Sequence, residues 1–413
     1  MIKKIAPVVL LLATLAASVT PAQAATDDEA GGAALSGSAA PTDWSREVIR
    51  STMSRYTPST IGGWSYPIGL YMYGQYLAYK RTGDASYLSY IKAWADRFVD
   101  SSGHIGNGFN SLDSMQPANV MLFLSQEYPS QTKYRTAAKQ LHDRIYSSAS
   151  PYPRTSDRGF WHANNDSRQG QLWGDGVFMV DPFLARYGQW VGDTTRVHDE
   201  VADQLVVYGR HLQRTSGDQA GLLYHAYDEP GGLTASWAHP EFGDTNGVTW
   251  CRAEGWYGMA LTEILRIIPA GHPQRAALVS ILQKLTAAYL RYQDPATGRW
   301  WQVVDKAGAS GNWLETSCSA MYTTVISRAI EDGYLPATQA NRDAVAKGYH
   351  GVLQKMSIHS DGLTYLTDIS EGTNVDDVTG FYYGRAKKTN DFHGLGAFLI
   401  MNEQMISTGV PQT

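Results

Sequence analysis

Trp173-Gly-Asp175-Gly-Val-Phe-Met-Val-Asp-Pro-Phe-Leu-Ala-Arg-Tyr-Gly-Gln-Trp-Val191, followed by Gly192-Asp-Thr194 and a second apolar-periodic run to Arg214, is the stretch that sets the architecture of this chain. Apolar residues recur at helical spacing on both sides of a short turn. The Gly stops one helix, and Asp or Thr can cap the next. The connection that follows, 215–249, is long and rich in Gly, Asp and aromatics. The same alternation runs along the chain. Short turns read Arg81-Thr-Gly-Asp-Ala85, Glu127-Tyr-Pro-Ser-Gln131, Pro269-Ala-Gly-His-Pro273 and Asp332-Gly-Tyr-Leu-Pro336; long connections are 101–112, 148–172, 292–314 and 356–390. The spacing predicts helices over 44–56, 66–82, 86–99, 114–126, 132–147, 173–191, 195–214, 251–267, 273–291, 316–332, 338–355 and 391–406. With the first and last as partners these form six hairpins. The chain therefore reads as all-α, an (α/α)6 barrel with its long loops at one rim. An open superhelix of hairpins is the alternative, and the pairing of the first and last helices favours closure.

The 413 residues are 43% hydrophobic and 18% charged, enough for a large core, and 43–413 reads as a single catalytic domain. Net charge is −5 with no long basic run, which speaks against a nucleic-acid partner. Lys3 and Lys4, the apolar stretch Ile5–Ala17 and Ala22-Gln-Ala24 read as a signal peptide over 1–24, with a disordered linker over 25–42. The protein is then secreted or periplasmic. No other apolar run is long enough to span a membrane. Cys251 and Cys318 are the two cysteines. In an exported protein they suit a disulfide better than a metal, although two buried small side chains would look the same. Oligomeric state leaves no signal in the sequence.

Each predicted inner helix starts with groups suited to a sugar: Trp64-Ser-Tyr66-Pro, Leu112-Asp113-Ser, Trp173-Gly-Asp175, Trp250-Cys-Arg252-Ala-Glu-Gly-Trp256, Leu314-Glu315-Thr, and Asn390-Asp391-Phe-His393. Antiparallel hairpins gather these starts at one rim. A single Asp at a helix start also reads as a cap. Two carboxylates facing across one bowl repel, so that one retains a proton and can act as a general acid. His162, His225 and Arg252 supply donors or cations, and most of the many Trp and Tyr read as wall or core. Gly-x-Ser-x-Gly, P-loop, dinucleotide and His-Glu-x-x-His patterns are missing. No cofactor and no metal are expected.

At these residues the chain resembles the unsaturated rhamnogalacturonyl hydrolases of glycoside hydrolase family 105, with the unsaturated glucuronyl hydrolases of family 88 as cousins. The resemblance spans about Trp64 to Glu403. It rests on Trp64-Ser-Tyr-Pro-Ile-Gly69, Gly159-Phe-Trp-His162, Gln171-Leu-Trp-Gly-Asp-Gly-Val-Phe-Met179 with Pro182-Phe183, and Leu223-Tyr-His225. It continues through Trp250-Cys-Arg-Ala-Glu-Gly-Trp-Tyr257, Tyr292-Gln-Asp-Pro295, Trp301-Gln-Val-Val304, and Asn312-Trp-Leu-Glu-Thr-Ser317 with Ala320-Met321. The resemblance implies an (α/α)6 barrel and removal of a 4,5-unsaturated uronic acid, most simply galacturonate linked to rhamnose, from lyase-generated oligosaccharides. It implies Asp175 as the acid that protonates C4 and Asp113 as its partner. Tyr66, His162, His225, Trp250, Arg252 and Trp256 match its binding positions, with Arg252 toward the substrate carboxylate. An unsaturated glucuronyl hydrolase, a hydrolase of saturated glycosides and a sugar-binding protein on the same barrel are the alternatives.

Three features depart from the family pattern. His162-Ala-Asn-Asn-Asp-Ser-Arg-Gln-Gly-Gln171 is longer than the usual spacing and can reshape the subsite beyond the uronate. Glu254 adds a charge that can weaken Arg252 or pair with His225. Cys251 and Cys318 stand where small residues are expected, at the starts of successive inner helices, and suggest a disulfide at the rim.

Overall fold

A computed structural model describes residues 42–231 and 235–412. The signal peptide and, apart from Thr42, the linker therefore lie outside the described residues. In chain order the helices are α1 (Trp44–Arg55), α2 (Tyr66–Thr82), α3 (Ala85–Ala95), α4 (Ala118–Glu127), α5 (Lys133–Ile145), α6 (Gly176–Trp190), α7 (Thr194–Leu212), α8 (Cys251–Ile267), α9 (Arg275–Tyr292), α10 (Thr316–Glu331), α11 (Gln339–Leu353), α12 (Thr379–Tyr383) and α13 (Phe392–Ser407). Among the described residues, four two-stranded ribbons decorate them: β1 (Gln171–Trp173) with β2 (Ala226–Asp228), β3 (Trp300–Trp301) with β4 (Leu314–Glu315), β5 (Met356–Ile358) with β6 (Thr364–Leu366), and β7 (Ile369–Ser370) with β8 (Lys387–Lys388).

The ring closes. Going round, α2, α4, α6, α8, α10 and α13 each pack on the next, and α13 returns to α2. Outside them α3, α5, α7, α9, α11 and α1 each bridge two inner neighbours. This is the (α/α)6 barrel, not an open superhelix. Side-chain chemistry sorts the two rings. Every residue of α8 from Cys251 to Leu265, and of α10 from Thr316 to Ala329, is buried. Such helices have no solvent face and belong inside. By contrast α5 buries Tyr134, Ala137, Ala138, Leu141 and Ile145, a single stripe at helical spacing.

At the closing seam, α2 and α13 approach on glycines. A Cβ at Gly74 would lie 2.6 Å from Leu399 Cβ, and one at Gly396 would lie 2.6 Å from Leu70 Cγ. Asn402 donates to Ser45 Oγ at 2.7 Å, and Arg81 bridges Asp43 and Glu403, so the first and last helices are tied by polar contacts as well.

Several boundaries differ from the sequence reading. The helix expected from 114 begins at Ala118, preceded by a single 3-10 turn, Leu112–Ser114. Pro117 explains this: it disfavours helical backbone in the residue before it and cannot donate to a preceding turn. The helix expected from Trp173 begins at Gly176, because 171–173 pairs with β2. Within the long connection 292–314, Trp300–Trp301 forms a short strand.

Cys251 and Cys318 are disulfide-bonded with Cα atoms 5.7 Å apart, stapling the first turns of α8 and α10 across a 67-residue separation. On the loop-entropy relation such a link contributes about 4 kcal/mol. Replacing both cysteines by alanine is expected to lower unfolding free energy by roughly that amount. Denaturant titration checks it, and an unchanged midpoint would show that the staple does not constrain the unfolded chain.

Candidate active site

The inner helices deliver their N-terminal ends to one rim, where backbone pairing between loops sets the side chains. The His162 N–H donates to the Gln171 carbonyl at 2.7 Å, and the Leu112 N–H donates to the His162 carbonyl at 3.0 Å. This stitches the loop bearing Asp113 to the strand leading into Asp175. Pairing of β1 with β2, extended by the Gly174 N–H to the His225 carbonyl at 2.8 Å, then carries His225 to the same place.

Two aspartates face each other there. Donor atoms of Asp113, His162 and Asp175 all lie within 4.8 Å of one another. His162 Nε2 is 3.8 Å from Asp113 Oδ1, and His225 Nε2 is 3.8 Å from Asp175 Oδ1. Neither aspartate caps a helix. Asp175 occupies the N-cap position of α6 without a side-chain cap bond, and the turn at 112–114 is capped by Ser111. Oδ1 of each is buried and unpartnered. The cap reading of these residues is thereby set aside.

Electrostatics follow from this burial. Loss of solvent, then repulsion from Asp175, raises Asp113, against a smaller opposing pull from Arg168. Loss of solvent also raises Asp175, opposed by its backbone hydrogen bond and by Arg252. The pair therefore retains a proton near neutrality. Burial lowers both histidines, His162 to about 3 and His225 well below its ordinary value, so both rings are neutral beside the acids.

The raised carboxyl has a stability consequence with a definite sign. A folded-state pKa above the unfolded value means that the folded protein binds the extra proton, so this contribution is lost as pH rises through the folded value. Asp113 is raised to about 8. Asp113→Asn removes that penalty. It is expected to raise the Tm above wild type at pH 8, with the gain shrinking toward pH 4. A gain that grew in acid instead would contradict the assignment.

The remaining expected residues fall into two groups. Tyr66, His162, His225, Trp250 and Trp256 are brought together. Trp256 stacks on Phe178 at 4.8 Å and meets the edge of Tyr66 at 6.3 Å, while Trp250 lies 4.6 Å from His225. Arg252 is different. It is fully buried, and its guanidinium donates to the carbonyls of Ser370 at 2.5 Å and Glu371 at 2.7 Å while lying over Trp250. It holds the 370–371 backbone through its Nη atoms, while its buried Nε has no partner and its charge acts on Asp175, Tyr66 and His393 around the bowl. Glu254 pairs with neither Arg252 nor His225. It is fully buried near Asp305 and Arg214, and burial pushes its carboxyl well above the usual carboxylate range. Two residues along a helix point to different sides, which separates it from Arg252.

The sequence reading missed three contributors. Arg168, on the 3-10 turn Asp166–Arg168 of the lengthened loop, lies over Trp173 at 4.6 Å, with Trp173 in turn stacked on His162 at 4.1 Å. Its charge acts on both Asp113 and His162. Tyr382, from α12, places its hydroxyl 2.8 Å from His225 Nδ1 and accepts from Asn246 at 3.1 Å. Third, Asp391 Oδ1 lies 2.6 Å from His393 Nδ1, and His393 Nε2 lies 2.6 Å from the Tyr66 hydroxyl. With the ring proton on Nδ1 facing the carboxylate, Nε2 accepts from Tyr66 and leaves the phenol oxygen to accept from a ligand. The segment Asn390–His393 was visible as a helix start; its pairing with Tyr66 was not.

The sequence matches Glycosyl Hydrolase Family 88 across residues 44–408. The chain belongs to this family. It is a glycoside hydrolase on an (α/α)6 barrel. The family 88 chain is 24% identical to the unsaturated rhamnogalacturonyl hydrolase YesR of Bacillus subtilis over 354 residues, covering 78% of this chain and 95% of that protein. Among solved structures, a family 105 glycoside hydrolase from C. acetobutylicum superposes with a TM-score of 0.81 at 29% identity, covering 89% of this chain and 100% of the other. The unsaturated glucuronyl hydrolase of Bacillus sp. GL1 shares the fold, with a TM-score of 0.60, 15% identity and coverage of 83% and 86%. Among the described residues, no helix of the family 88 chain is long and apolar enough to cross a membrane.

Proposed function

We propose that this glycoside hydrolase removes a 4,5-unsaturated uronic acid from the non-reducing end of lyase-generated oligosaccharides, with unsaturated galacturonate linked to rhamnose as the leading substrate. The carrying observation is the facing pair of half-buried Asp113 and buried Asp175, which retains a proton beside two neutral histidines. In this reading Asp175 gives its proton to C4 of the vinyl ether, and the positive charge that develops at C5 and the ring oxygen is stabilised by carboxylate. Water adds at C5, returning a proton to the pair. The resulting hemiketal opens and the aglycone sugar leaves with the C1 oxygen. Asp113 holds the ring and shares the proton, while Tyr66, His162, His225, Trp250 and Trp256 shape the subsite.

The spacing weighs against inversion at a saturated glycosidic bond. That reaction needs carboxyls roughly 6.5–9.5 Å apart to admit a water. Here the donor atoms lie within 4.8 Å. The substrate carboxylate needs a cation, and Arg168 at the bowl suits it by position, while Arg252 already donates through its Nη atoms to main-chain carbonyls and keeps only Nε unpartnered. The relatives' names support the unsaturated uronide; galacturonate on rhamnose rests on YesR alone.

We also read the protein as exported. Its N-terminal sequence supports this, as does a disulfide of the kind that persists in oxidising compartments.

The test follows the ultraviolet absorbance of the C4=C5 bond in lyase-generated rhamnogalacturonan oligosaccharides mixed with the protein. Loss of absorbance with release of a shortened saturated oligosaccharide is expected. Loss only with unsaturated glucuronyl products would transfer the same chemistry to another polysaccharide. No loss with either would end the unsaturated-uronide reading.

A further inference from the structure

The opposite mouth of the barrel, where the inner helices end, holds a cavity of about 610 Å³. It lies roughly 20 Å from the aspartate pair, at 1.5 Å per residue along α6 from Asp175 to Gln189. Its floor is cationic. Arg186 and Arg328, both about 95% buried, share the single carboxylate of Glu263. Arg186 is well held: it donates to Asn119 at 2.6 Å, is hydrogen-bonded to Glu263, and lies over the Tyr73 ring at 4.7 Å. Arg328 is not. Its Nη1 reaches Thr262 and Glu263 only at 3.5 Å, and its buried Nε has no partner.

The other cations at this mouth are matched. Lys80 pairs with Glu127, Arg81 with Asp43 and Glu403, and Arg266 with Glu331 and Asp332. Arg328 therefore has only a long ion pair, to a carboxylate that Arg186 shares, where solvent screening is weak. An oxyanion with two or more acceptor oxygens satisfies a guanidinium fork. The cavity falls in the size range of small-ligand sites, and Tyr76, Phe123 and Trp190 give it the apolar wall such sites use.

We propose that this basal cavity is a second ligand site, separate from the catalytic bowl, that binds a small oxyanion through Arg328. A free phosphate and the carboxylate of an acidic sugar present the same chemistry, and the experiment separates them. Phosphate and galacturonate are titrated by calorimetry into the whole protein at constant ionic strength, alongside Arg328→Gln and Gln189→Glu. Gln189 is exposed, lines the cavity and makes none of the ion pairs above, so its variant folds and places a negative charge at the mouth without touching Arg328. Arg168→Gln serves as the rim control.

Saturable binding of one anion, weakened at least about tenfold in both cavity variants and unchanged in Arg168→Gln, is the expected result; tenfold corresponds to the loss of one charge-assisted contact. Preference for phosphate names an inorganic ligand, and preference for galacturonate names a sugar acid. Equal affinity in wild type and Gln189→Glu, or no saturable binding of either anion, overturns the proposal.

Discussion

Asp175→Asn is expected to reduce kcat on unsaturated oligosaccharide by about 10³-fold or more while leaving the fold intact, the upper part of the range for loss of a general acid. The reasoning is geometric. Asp175 is buried at the head of α6, makes no cap bond, and leaves Oδ1 without a partner. Folding does not use that oxygen, so an amide of the same shape is tolerated. The amide cannot give a proton to carbon. It also removes the repulsion that raises Asp113, which should then titrate lower. The checks are turnover by absorbance, ligand affinity by calorimetry and Tm by circular dichroism. Turnover within a few-fold of wild type would remove Asp175 from the acid role. A collapsed Tm would show that its side chain is structural after all.

Arg168→Gln is expected to raise KM for the unsaturated uronide by roughly 10–100-fold, with a much smaller change in kcat, as befits one lost charge-assisted contact of about 1.5–3 kcal/mol. Arg168→Lys should recover part of the loss, because it keeps the charge but not the fork. The pH profile supplies a second reading. Arg168 pulls Asp113 down, so its removal lets Asp113 rise. Activity that needs the pair's proton is lost as pH rises through the upper pKa, and that alkaline limb should move to higher pH in the variant. An unchanged KM would place the substrate carboxylate on another group. An alkaline limb moving to lower pH would contradict the electrostatic coupling.

These two residues show what could be read without coordinates. Asp175 was legible because local signals converge on it: a helix start, a motif, and a carboxylate on the wall of a ring whose hairpins are encoded by short-range periodicity. Asp113 was legible for the same reason, although Pro117 moved its helix away and left it on a 3-10 turn. Arg168 was not, because nothing in its own neighbourhood says that a loop residue will lie over Trp173. Arg252 shows the complementary case. Its motif marks it as a rim group, and only the fold shows that its Nη atoms donate to the carbonyls of Ser370 and Glu371, more than a hundred residues away.

What the sequence determined by itself was the barrel and the rim to which its chemistry is delivered, because turn residues, helical spacing and the burial pattern of each helix are properties of short segments. What only the tertiary structure decided was which groups remain available at that rim. Tyr382 reaches His225 across 157 residues, and Tyr66 reaches His393 across 327. The long ion pair of Arg328 likewise arises because Arg186 claims the same carboxylate from another helix. Such competition for partners is settled in three dimensions, when long-range packing distributes a limited set of donors and acceptors.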